Sequence, residues 1–175
     1  MFRHWMGLLK EAENTPSRDA PISASADTIV RETHDDKFTR IARQGTNMLE
    51  VRHAVSMIQD ETHLLALARD MSMDYHRRLV VLERVTSPAT LLAIVFGPDS
   101  KLAAVATKRI VDPDAILIIL RYALHAGARK NAVERCNNGD AVYQAANEDE
   151  DEDVRWIASV RFADIVCTGH VTIQA

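Results

Sequence analysis

The chain has 175 residues, of which 47% are apolar, 26% charged and only 5% aromatic, and a formal net charge of −4. Length and composition suit a soluble globular domain whose core must be built from Leu, Ile, Val and Ala. Two cysteines cannot supply a disulfide scaffold, an iron–sulfur cluster or a structural zinc site, and no apolar run reaches the roughly 18 residues of a membrane helix. With no secretory leader in view, a cytoplasmic, reduced setting is expected.

In chain order, Phe2, Trp5, Met6, Leu8 and Leu9 are spaced as a short amphipathic helix, and the Pro- and Ser-rich stretch 14–26 reads as a linker. Residues 1–26 are thereby set apart from a domain spanning 27–175. Phe38, Ile41 and Ala42 predict an isolated capping helix over 35–44. From there a repeat takes over. Ile58, Val85, Ile110, Cys136 and Phe162 are anchors spaced by 27, 25, 26 and 26 residues. Two positions after them stand Asp60, Ser87, Asp112, Asn138 and Asp164, all good helix N-caps because their side-chain oxygens accept the orphan amides of a first turn. Pro88 and Pro113 follow at the N1 position, where proline is best tolerated.

Beyond each cap runs an apolar stripe of helical spacing: Leu64, Leu65, Leu67 and Ala68, then Leu91, Leu92, Ile94 and Val95, then Ile116, Leu117, Ile119 and Leu120. A fourth, weaker set is Val142, Tyr143, Ala145 and Ala146. Four positions before the anchors lies a column of small residues, Ala54, Val81, Ala106, Ala132 and Ala158, which lets neighbouring helices approach closely. Each unit therefore reads as helix A, a tight turn at the anchor, then helix B. The predicted fold class is all-α, an α-solenoid of about five helical hairpins with a 25–27 residue repeat. The last unit is expected to be weak: Asp164 is its cap, but Ile165 to Gly169 is a poor helix.

Val51-Arg52-His53-Ala54-Val55 with Leu64-Leu65-Ala66-Leu67-Ala68, and Lys130 to Arg135, resemble short bacterial HEAT-like (armadillo-type) repeats over about residues 35–170. The resemblance implies an α-solenoid and, by association, a protein-binding or scaffolding role. The unit is shorter than the usual HEAT or armadillo repeat, and Leu102-Ala103-Ala104 stands where basic residues are common in that family.

Arginines form two columns. Arg84, Arg109, Arg135 and Arg161 each precede an anchor, with Met57 in the first unit. They form either a ladder for carboxylates and phosphates or, as expected here, cations that complement a helix C-terminus and meet its free carbonyls. Arg78, Arg129 and Arg155 lie in the first turn of helix A, where the dipole gives no reason for a cation. Pairing with acidic loops such as Asp99 or the run 148–153 would explain them. That acidic run lacks the ligand alternation and glycine of an EF-hand loop, and is expected to be a solvated loop in which Asp151 or Asp153 caps the next helix. The seven histidines show no metal-ligand spacing, and no nucleophile motif, P-loop or dinucleotide fingerprint occurs.

The B helices of the second and third units, Ala89 to Phe96 and Ala115 to Leu120, are apolar on nearly every side. They are either buried all round or carry a patch for a partner. The expected function is a non-catalytic helical-repeat module that binds a protein. Its candidate contact residues are Ala93, Ile118, Arg121 and Tyr122, flanked by Arg78, Arg129 and Arg155. Self-association through the apolar B helices is one form such binding takes. The alternative is nucleic-acid backbone binding as in HEAT-like DNA glycosylases. Against it stand scarce aromatics and a surplus of only four positive charges over 37–147. No cofactor, metal or membrane partner is expected.

Overall fold

The computed structural model describes residues 32–168, which belong to one compact unit and form ten α-helices with no strand among them. The expected amphipathic helix and linker of residues 1–26 lie outside the described residues, as do Gly169 and His170. Five helices match the predicted A helices: α2 (Met48–Met57), α4 (Tyr75–Arg84), α6 (Ser100–Arg109), α8 (Ala126–Val133) and α10 (Glu152–Cys167). Five match the B series: α1 (His34–Gln44), α3 (Glu61–Arg69), α5 (Pro88–Val95), α7 (Pro113–Tyr122) and α9 (Gly139–Glu148).

Local chemistry sets the boundaries. Asp60, Ser87, Asp112 and Asn138 are N-caps, accepting from the amides of Thr62, Thr90, Asp114 and Ala141 respectively. Ile58, Val85 and Ile110 end their helices in extended backbone, with φ/ψ of −74/127, −64/129 and −79/125 degrees. That geometry stops the helix and turns the side chain inward, where all three are buried. Pro88 and Pro113 reinforce the break because the residue before a proline avoids helical backbone. Each buried anchor of this size is worth roughly 1.5–3 kcal/mol of transfer free energy.

Even-numbered helices pack in sequence, α2 on α4, α4 on α6, α6 on α8 and α8 on α10; among the odd-numbered helices α1 packs on α3, α3 on α5 and α7 on α9. Ala54, Val81, Ala106, Ala132 and Ala158 are all fully buried, as the small-residue column requires. At Gly127 a Cβ would stand 3.3 Å from that of Ala104, so α6 and α8 meet nearly backbone to backbone.

Three expectations change. The closest backbone pairs of helices adjacent in sequence are α1·α2, α3·α4, α5·α6, α7·α8 and α9·α10, so each B helix packs most intimately on the A helix that follows it, not on the one before the anchor turn. For the same reason α1 is not an isolated cap but the first member of a pair. The fifth unit has no anchor turn: α10 runs unbroken for 16 residues through Phe162, and Asp164 lies inside it. From Phe162 to Cys167 the sequence holds neither proline nor glycine, whereas Pro88, Pro113 and Gly139 mark the corresponding breaks.

A candidate interaction surface

Most cations singled out from the sequence work inside the stack. Arg109 reaches back one repeat, donating to the carbonyl of Leu82 and, at 2.7 Å, to that of Val85. Arg135 donates to the carbonyls of Thr107 and Lys108, both at 2.9 Å. Arg161 donates to the carbonyl of Cys136 at 3.2 Å and to Asn137 Oδ1 at 2.7 Å. The column thus caps helix C-termini, but those of the preceding A helix rather than its own. The carbonyls of Leu82 and Thr107 already accept from the amides of Val85 and Ile110, so the guanidinium adds a second bond there and, with its forked donors, takes a neighbouring carbonyl at the same helix end. Arg84 makes no such contact among the described residues; the equivalent carbonyls of α2 receive no arginine.

Arg78 and Arg129, expected beside a partner strip, are both buried. Arg129 forms a bidentate pair with Asp149 at 2.8 and 2.9 Å, bonds the carbonyls of Ala123 and Leu124, and touches Glu150 at 3.2 Å. The Asp149 hydrogen bond outweighs desolvation and raises the Arg129 pKa above its already high ordinary value. Arg78 pairs with Asp99 at 2.8 Å beside the Met71 sulfur. Arg155, half-buried, donates to the carbonyls of Asp149 and Glu150. These three arginines tie loops to helix starts. They do not flank an open strip, because Arg78 and Arg129 are enclosed and Arg155 is bonded to the loop before α10; Arg78 Nε is buried without a hydrogen-bond partner. The acidic run divides accordingly: Asp149 and Glu150 take Arg129, Asp151 is the N-cap of α10, and Lys130 meets Asp153 at 2.5 Å.

Acids stitch the anchor turns as well. Asp35 accepts from the amides of Gln59 and Asp60, and Glu61, one repeat later, accepts from Thr86 and Ser87. The backbone amide of Asp60, then the His34 side chain, hold the Asp35 carboxyl below its ordinary value. Burial opposes the shift at Glu61, but hydrogen bonds from Thr90, Thr86 and Ser87 keep its pKa lowered. His63 faces Asp36 at 3.1 Å and Asp60 at 3.6 Å; its hydrogen bond to Asp36 raises the imidazole pKa. Bonds from Thr33 and His63 bring Asp36 down to about 2.

No group of His, Cys, Asp and Glu suited to a metal ion occurs among the described residues. Cys136 is buried beside a cleft of about 200 Å³ lined by Val111, Pro113, Ile116 and Leu117, and burial pushes its thiol pKa up, away from nucleophilic use.

Two apolar areas remain open to contact among the described residues. Burial accounts for the unusual B helices: Leu91, Leu92, Ile94 and Val95 of α5 and Ala115, Ile116, Ile119 and Leu120 of α7 are all inside. Their other sides carry Ala89, Ala93, Ile118 and Tyr122, at i, i+4 spacing on each helix. Ala93 and Ile118 are half-buried, whereas Ala89, Arg121 and Tyr122 are exposed. Ala66 occupies the same register on α3 and is exposed. A second apolar area was not anticipated: Trp156, 68% exposed, and Val160 on α10, with Tyr143 of α9 against Phe162 at a ring separation of 5.2 Å. Trp156 stands six residues before Phe162, in a column that holds Arg52, Leu79, Ala104 and Lys130 in the earlier repeats, so no constant residue type marked it in the sequence. Compared with known proteins, the chain matches no family model, no curated protein and no solved structure.

Proposed function

We propose that this chain is a non-catalytic, HEAT-like α-solenoid module that binds a protein partner along the outward side of α3, α5 and α7. The observation that carries the reading is the division of labour among side chains. The arginines at 78, 109, 129, 135, 155 and 161 are committed to carbonyls and carboxylates within the stack. The outward row of Ala66, Ala89, Ala93, Ile118 and Tyr122 is small or apolar. Solenoids present such extended rows because each repeat contributes the same register position. Small residues let a partner helix approach, Ile118 and Tyr122 give it apolar area, and exposed Arg121 supplies a charge at the rim.

Nucleic-acid binding is less well supported, since the guanidinium columns on which it depends are engaged within the stack at every position but exposed Arg84. The test is quantitative affinity purification of the full chain from cells that express it, with Ala89→Glu and Tyr122→Asp as surface variants and Arg40→Glu as a remote control. A partner retained by wild type and control but lost with both variants is the expected result. Retention by all four chains refutes this face, and a salt-sensitive shift of duplex DNA by wild type would favour the alternative.

A further inference from the structure

We propose that the cleft beside Cys136 receives an acidic side chain of a protein partner, whose carboxylate accepts from the main-chain amides of Asn137 and Asn138. Two earlier turns of the same molecule already hold a carboxylate in this way. Asp35 accepts from the amides of Gln59 and Asp60 at 3.1 and 2.7 Å, and Glu61 from those of Thr86 and Ser87 at 3.0 and 2.8 Å. Each time one carboxylate oxygen takes two successive amides, the first and second after an anchor, and the acid comes from the start of the preceding B helix. Charge-assisted bonds of this kind are about twice as strong as neutral ones.

Asn137 and Asn138 are the first and second residues after the anchor Cys136, and their turn has the same backbone. The Cys136 amide donates to the carbonyl of Val133 at 3.2 Å, as Ile58 does to Val55 at 3.3 Å and Val85 to Leu82 at 3.2 Å. The N-caps Asp60, Ser87 and Asn138 have φ/ψ of −80/118, −68/127 and −83/106 degrees. Yet the amides of Asn137 and Asn138 have no acceptor among the described residues. Pro113 follows its cap Asp112 as Glu61 follows Asp60, so a proline stands where the acid would reach them. Pro88 makes the same exchange for the amides of Val111 and Asp112, and the turn at Cys136 adds the cleft of about 200 Å³. The cleft lining carries one cation, Arg135, and no carboxylate. Arg135 bonds its two carbonyls through Nη1, leaving Nε and Nη2 without a partner among the described residues. Of the nearby acids, Asp112 accepts from the amide of Asp114, and exposed Asp140 lies outside the lining. Val111, Pro113, Ile116 and Leu117 give the methylene stem of a glutamate an apolar wall, leaving its head to the amides and the guanidinium.

Amide ¹H–¹⁵N spectra of the full chain, titrated with acetyl-Ala-Glu-Ala-amide at constant ionic strength, test this. The glutamine peptide acetyl-Ala-Gln-Ala-amide and free glutarate are the comparison probes. The glutamate peptide is expected to shift the main-chain amides of Asn137 and Asn138 saturably, with a dissociation constant in the millimolar range, and the glutamine peptide to leave them in place. The amides of Thr86 and Ser87, already held by Glu61, are expected to stay put. Pro113→Glu rebuilds the resident acid, so it is expected to move the same two amides without peptide and to weaken peptide binding at least about tenfold. No saturable shift at Asn137 and Asn138 in wild type overturns the proposal, whether or not the variant folds. An equal response to the glutamine peptide, an equal response at Thr86 and Ser87, or undiminished binding by folded Pro113→Glu overturns it too. Binding of glutarate but not of the peptide assigns the cleft to a small free carboxylate and overturns the protein side chain as its occupant. Because the probes are added to the isolated chain, the result is independent of whether a partner is retained on α3, α5 and α7.

Discussion

Replacing Arg129 by alanine is expected to be among the most damaging single changes in the molecule. The side chains of Arg129 and Asp149 are each 7% exposed, and the guanidinium makes two bonds to the carboxylate and two to the carbonyls of Ala123 and Leu124. Truncation removes all four and leaves Asp149 enclosed without its counter-charge. Simply adding charge-assisted bonds would overstate the cost, because the pair also lost its hydration on folding. The net penalty for breaking such a pair is about 3–5 kcal/mol, dominated by the stranded charge. In a domain of this size that lowers the midpoint of thermal unfolding by about 10 °C.

Two comparisons isolate the mechanism. Arg129→Leu combined with Asp149→Leu removes both charges and is expected to recover most of the loss. Arg52→Ala breaks the pair with Glu83, whose partners are 55% and 56% exposed, and is expected to change stability by under about 1 kcal/mol. Urea unfolding at neutral pH reads all three variants against wild type. If Arg129→Ala costs no more than Arg52→Ala, the enclosed-charge argument fails.

Ala106→Leu puts a large side chain into a fully buried position between A helices and is expected to cost about 1–3 kcal/mol by urea unfolding; a neutral result means the helices have room to part. Asn138→Ala removes the acceptor for the Ala141 amide and is expected to lower stability by about 1 kcal/mol, with hydrogen exchange increasing first at the start of α9. The raised pKa of His63 makes its contribution complete below the ordinary histidine value of 6.5 and progressively lost as pH rises through the folded value. Asp36 runs the other way, contributing fully above 3.8 and losing its share as pH falls through about 2. An NMR titration of the His63 ring is expected to show the raised value in wild type and a drop in Asp36→Asn; an unchanged midpoint removes the pairing.

The caps at Asp60, Ser87, Asp112 and Asn138, the anchors and the alanine column were legible because each is a local rule repeated in one register. The pairing of Arg78 with Asp99 and of Arg129 with the acidic run was legible for a related reason: a cation in a first helical turn contradicts the dipole, and the contradiction needed an acid nearby. The direction of the arginines before the anchors was not legible. Their own helix end and the previous one offer identical free carbonyls, and only three-dimensional proximity chooses between them. The unbroken α10 was missed because Asp164 satisfies the cap rule by composition, while a cap functions only if the chain actually turns. Trp156 was not legible because its column, Arg52, Leu79, Ala104 and Lys130 in the earlier repeats, holds no constant residue type against which an indole stands out.

The arginine bridges between repeats have a consequence for how this sequence can drift. Every one of them has a designated donor, yet most acceptors are main-chain oxygens, which every amino acid possesses. The residues that receive Arg109 and Arg135 are leucine, valine, threonine and lysine, and Arg161 binds the backbone of a cysteine. The joint itself therefore constrains the side chain of one residue per repeat, while Leu82, Val85, Thr107 and Cys136 are constrained by burial instead. A unit is therefore expected to tolerate duplication or transplantation provided its own arginine travels with it.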